Sequence, residues 1–141
     1  MNNKNVELIK FANGLDSLAE NLEKDFKRFK TGKGKKYNTD FLFTEWEYLT
    51  QAGEILWHVF DNHYSDLDKK LQIIVGDWKS QNKSSYNPNW AKARTFENVC
   101  KKWIHNFDWI QKSKGSTLSY SIGMKKISEY LISLNLEHNN L

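Results

Sequence analysis

The sequence holds one cysteine, Cys100, and one proline, Pro88, in 141 residues. A lone cysteine excludes an intrachain disulfide, so the fold must stand on packing alone. A single proline and only seven glycines remove most helix breakers and leave the chain free to form long helices. No run approaches the about eighteen apolar residues of a membrane span, and the longest apolar stretch lies near Leu71 to Val75. Residues 1–10 are polar and lack the apolar core of a secretory leader. These absences predict a soluble, cytoplasmic chain with no membrane partner. Residues 37–68 contain no Lys or Arg at all, an absence that bears on function below.

Aromatics, in contrast, are abundant. Six Trp, six Tyr and eight Phe make up 14% of the chain, too many for a disordered segment and enough to build a core on rings. The length suits one domain, so residues 1–141 are read as a single unit. The composition, rich in Asn and Lys and poor in Pro, is of the kind encoded by AT-rich bacterial and phage genomes.

Apolar spacing predicts five helices and no strand. Leu8, Phe11, Leu15, Leu18, Leu22, Phe26 and Phe29 recur at steps of three and four, which predicts a helix over about residues 4–30, with Gly14 as a point of close packing or bending. Residues 31–38 (TGKGKKYN) read as a basic loop. A second helix is expected from Thr44, where Thr44 and Glu47 form a capping-box pattern and Phe43 and Tyr48 stand as its staple; Thr39 is the other candidate start. Its stripe of Trp46, Leu49, Gly53, Leu56, Phe60 and His63 is flanked by Ile55, Trp57 and Val59, the pattern of a central helix. Ser65 is expected to cap a third helix bearing Leu67, Leu71, Ile74 and Trp78. Asn87 and Pro88 open a fourth, with Phe96, Cys100, Trp103, Phe107 and Ile110 on one face. A fifth begins near Thr117 or Ser119, carries Tyr120, Met124, Ile127, Leu131 and Leu134, and is expected to fray from Leu136. The fold class is therefore all-α, an irregular bundle of about five helices.

Charge is segregated along the chain. Residues 24–36 carry seven basic side chains against Asp25, a net +6. Residues 37–68 carry seven acids and a net −7, and residues 79–126 carry a net +8. In one reading these charges neutralise each other within the fold and imply no partner. In the other, the basic segments share a face and hold phosphates. Within 86–114, lysines alternate with Tyr86, Trp90, Trp103 and Trp109, a combination suited to single-stranded nucleic acid, whose phosphates take cations and whose bases stack on rings.

Catalytic and metal signals are weak by comparison. Glu54, His58 and Asp61 share one helical face, but no second helix offers the matching carboxylate–histidine pair of a di-metal bundle, so no metal and no cofactor are expected. Cys100 sits on an apolar stripe, where it reads as a small hydrophobe. Residues 31–35 lack the strand and spacing of a phosphate-binding loop. The sequence therefore predicts a non-enzymatic nucleic-acid-binding protein. Lys27, Arg28, Lys33, Lys35, Lys36, Lys92, Arg94, Lys101, Lys102 and Lys112 would contact phosphate, and Trp90 and Trp109 would stack. The alternative is a protein–protein module, a complex subunit or an inhibitor of a nucleic-acid enzyme. It would dock through the acidic helix 44–63 with Glu45, Glu47, Glu54 and Asp61.

Overall fold

A computed structural model describes residues 3–31, 37–74, 88–103 and 117–139, with side chains over 6–28, 44–74, 91–103 and 119–134. Those residues form an all-α bundle of α1 (Asn3–Thr31), α2 (Tyr37–Asn62), α3 (described over 69–74), α4 (Pro88–Lys102) and α5 (Thr117–Asn139). Among the described residues there is no strand, and no helix is long and apolar enough to cross a membrane.

The most extensive helix pair is α1 with α5. On α5 the expected stripe is the buried one: Tyr120, Met124, Ile127, Leu131 and Leu134 all lie in the core. On α1 the buried line is Leu8, Ala12, Leu15, Ala19, Leu22 and Phe26. The sequence reading had Phe11 and Leu18 in that line; they are only partly buried, and Ala12 and Ala19 take their places, fully enclosed. Alanines leave room for α5 to come close, and Ser128 uses it, its hydroxyl donating to the Ala12 carbonyl at 2.8 Å. Each fully buried leucine in this seam contributes about 1.5–3 kcal/mol.

Two contacts set α1 antiparallel to α2. Near the C-terminal end of α1, the Tyr48 hydroxyl donates to Asp25 at 2.6 Å. Near its N-terminal end, the fully buried His63 holds Nε2 3.1 Å from Glu7, with Asp66 3.8 Å from its Nδ1. Burial and the Asp25 contact push the Tyr48 hydroxyl up to about 12. As expected, α2 is the central helix, packed by α1, α4 and α5. Its contact with α4 is close enough that a Cβ at Gly53 would overlap the Lys92 carbonyl. One turn on, the Trp57 indole N–H donates to Thr95 at 2.8 Å, so α2 and α4 run parallel. Gly14, the expected point of close packing on α1, faces Ile55, whose Cδ1 would lie 3.1 Å from an added Cβ.

Three helix ends differ from expectation. α2 starts at Tyr37, so Thr44 and Glu47 lie inside it and cap nothing; no Gly or Pro between Tyr37 and Thr44 stops the helix earlier. Ser65 does not cap α3, because Tyr64–Asp66 forms a 3-10 turn. The cap is Asp68, whose carboxylate accepts the Leu71 N–H at 2.8 Å while its carbonyl accepts the first helical bond from Gln72 at 3.0 Å. α5 continues through Leu136 to Asn139. The start of α4 at Pro88 is as read, whereas Phe107 and Ile110 lie outside the described residues.

Substituting Gly53 with alanine forces the α2–α4 contact apart. Gly53→Ala is expected to destabilise the protein by about 1–3 kcal/mol in urea unfolding, despite the better helix propensity of alanine. Gly14→Ala, which meets only the flexible tip of Ile55, is expected to change stability by less.

Candidate nucleic-acid interface

The helix directions divide the bundle into two halves. In the first, α1 ends beside the early part of α2, at the Asp25–Tyr48 bond. α5 begins in the same half. Tyr130 meets Asp68 in the other half, and Tyr120 stands ten residues, about 15 Å, back along α5 toward its start; burial pushes the Tyr120 hydroxyl well up, with the carboxylates of Glu97 and Glu45 adding to the effect. α4, parallel to α2, also points its N-terminus this way. The second half holds the Glu7–His63 contact and a polar knot at Asp68, which accepts from the Trp103 indole at 3.1 Å and donates its N–H to the Tyr130 hydroxyl at 3.0 Å. Trp103 and Tyr130 meet edge to face with ring centroids 4.6 Å apart.

The expected phosphate contacts fall on both halves. Lys27 and Arg28 are exposed on the last turns of α1, in the first half, where their charge also suits the negative end of the helix dipole. Arg94 is exposed near the start of α4. Lys101 and Lys102 are exposed on the last turn of α4, beside Trp103, in the second half. The levels of Tyr48 and Asn62 on α2 are about 21 Å apart at 1.5 Å per residue, so Lys27 and Arg28 do not form one patch with Lys101 and Lys102, whereas Arg94 stands close to Lys101, the two meeting the same Glu97 oxygen. Lys33, Lys35, Lys36, Trp109 and Lys112 lie outside the described residues, as does the side chain of Trp90, whose backbone belongs to the first turn of α4.

Most of these cations have carboxylate neighbours. Lys27 pairs with Glu23 at 3.1 Å, Arg28 with Asp25 at 3.4 Å, and Arg94 and Lys101 share Glu97 at 3.4 and 3.7 Å. Pairs as exposed as these are worth a few tenths of a kcal/mol and can be exchanged for a phosphate. Lys92 differs. Its side chain is 19% exposed, bridges to Glu54 on α2 at 3.4 Å and lies 5.8 Å from the centre of the Trp57 ring. The sequence pattern treats it like its neighbours, because the partner that takes it inward is 38 residues away in the chain.

The remaining candidates have structural surroundings. Glu54 reaches Lys92, and His58 stacks on Phe11 with ring centroids 6.1 Å apart. Among the described residues no three His, Cys, Asp or Glu side chains gather as a metal site. Cys100 is fully buried, and that burial pushes its thiol well above the usual range, which keeps it protonated and unreactive.

The described residues include fourteen basic and fifteen acidic ones, which leaves seven basic and two acidic for the rest of the chain. The net positive charge therefore belongs to the segments that join and flank these helices. Comparison with protein-family models, with curated proteins and with solved structures finds no match to this chain.

Lys92 and its exposed neighbours are expected to respond differently to substitution. Lys92→Ala removes a bridge and a cation–ring contact between α2 and α4, and should lower stability by about 1 kcal/mol in urea unfolding. Arg94→Ala should shift the midpoint by no more than about 0.5 kcal/mol.

Proposed function

We propose that this protein is a non-enzymatic helical nucleic-acid-binding protein of the bacterial or phage cytoplasm, and that it contacts nucleic acid through the half of the bundle where α1 ends and α2, α4 and α5 begin. The observation that carries this reading is the shared direction of those four helix termini. The segments covalently joined to them hold Lys33, Lys35 and Lys36, then Lys79 and Lys83, then Lys112 and Lys114. The first joins two of these termini directly, and the other two lead into the starts of α4 and α5 from the opposite half. Three helix N-termini in that half add partial positive charge of the same sign.

In this reading Lys27, Arg28, Lys33, Lys35, Lys36 and Lys112 take phosphate, Trp90 and Trp109 stack on bases, and Arg94, paired with the Glu97 that Lys101 also meets, stays with Lys101. Lys92 keeps α4 against α2, and Lys101 and Lys102 stand away from the contact. Phosphate neutralisation releases counterions, so affinity must fall with salt.

Fluorescence anisotropy with labelled single-stranded and duplex oligonucleotides tests the proposal. Between 50 and 200 mM salt, affinity for single strands should drop about a hundredfold if some five or six phosphates are neutralised. Replacing Lys33, Lys35 and Lys36 together by Glu should abolish binding, while replacing Lys101 and Lys102 by Glu should leave it within about twofold. Absence of binding, or binding that is flat with salt, overturns the reading.

A further inference from the structure

An open groove of about 450 Å³ runs between α1 and α2, on the outer side of their seam. Its floor is apolar: Phe11, Leu18 and Ile55, all only partly buried, line it. The α2 wall is formed by Gln51, Glu54 and His58. These belong to a longer exposed stripe, because Glu47 stands one turn before Gln51 and Asp61 one turn after His58. The three acids on that stripe, Glu47, Glu54 and Asp61, recur at steps of seven, one every two turns, and span about 21 Å. No Lys or Arg occurs on α2, and Lys10 on α1 is the one lysine among the lining residues. Of the four acids that the sequence singles out on this helix, only Glu45 is off the stripe, within reach of Tyr120 on α5.

An apolar floor beside carboxylates at heptad spacing is one side of a helix-in-groove contact. In such a contact the apolar positions of the incoming helix seat on the floor, and its flanking positions, seven residues apart, meet the rim charges. We infer that the α1–α2 groove docks an amphipathic helix of a partner protein whose flank carries Lys or Arg at heptad spacing. Charge complementarity selects the occupant: the α2 stripe carries a carboxylate every two turns and no Lys or Arg, so an acidic helix or a nucleic-acid strand is repelled from it. Glu54 is half exposed even while it bridges to Lys92, so it can face the incoming flank without releasing α4. The stripe begins at Glu47, beside Tyr48 at the edge of the basic half, and runs from there toward the other half; the inference stands whether or not the protein binds nucleic acid.

A three-heptad synthetic peptide serves as probe, with Leu at the a and d positions and Lys along one flank, labelled with fluorescein and titrated with the full-length protein. Saturable binding is expected, weakening with salt. Glu47→Lys with Asp61→Lys should lower affinity at least about tenfold, since both charges sit on the rim of the contact. Ser17→Trp, which fills the groove from its exposed α1 edge, should do the same with no change of charge. Circular dichroism checks folding, and the isosteric Glu47→Gln with Asp61→Asn replaces the lysine pair if that variant does not fold. The inference is overturned if binding is absent, if a peptide with Glu in place of Lys binds equally, or if a peptide with Ser in place of Leu does. Because the probe carries no phosphate, each of these outcomes leaves the nucleic-acid reading standing.

Discussion

The missing side chain of Gly53 fixes the relation on which the rest depends. With no Cβ there, the Lys92 carbonyl comes against the backbone of α2, and the Trp57–Thr95 bond then sets α4 parallel to it. Parallel neighbours place like ends together. Hence α4 starts in the half where α2 starts; α5, oriented by the Ser128–Ala12 and Tyr130–Asp68 bonds, starts there too, and α1, antiparallel, ends there. A larger residue at position 53 would push the axes apart. One backbone contact thus links the fold to the proposed function.

Magnitudes decide how the charge is read. The i, i+3 and i, i+4 pairs on α1 and α4 are exposed and weak, so they hold the framework near neutrality without contributing much stability. The net charge of +4 arises outside that framework, on the connecting segments. The helices balance their own charges, and the segments between them carry the excess. α2 carries no Lys or Arg, and Glu47, Glu54 and Asp61 stand along one exposed stripe of it, with Glu54 bridged to Lys92 of α4.

Much of this was legible in the sequence. The α5 stripe, the central place of α2 and the start of α4 at Pro88 follow from spacing and from the fixed φ of proline. Other features were hidden for physical reasons. Ala12 and Ala19 add little to an apolar pattern, yet a close helix contact needs small residues, so the core line of α1 was misplaced by one position at two points. The Thr44 capping box is a local signal and cannot act while the chain before it stays helical. Asp68 prevailed over Ser65 because a 3-10 turn took up the intervening residues. Lys92 resembled any other lysine in the basic segment until Glu54 and Trp57 were brought to it from α2. The groove was beyond reach, since it exists only once α1 and α2 have found their antiparallel register.

The most direct test of the proposed nucleic-acid contact is hydrogen–deuterium exchange of the full chain, with and without a saturating single-stranded oligonucleotide. Protection should appear in the last turns of α1 and the first turns of α2, α4 and α5, with exchange unchanged around His63, Asp68 and the last turn of α4. Protection centred on Lys101, Lys102 and the 63–74 turn, or spread along the acidic stripe of α2, would contradict it.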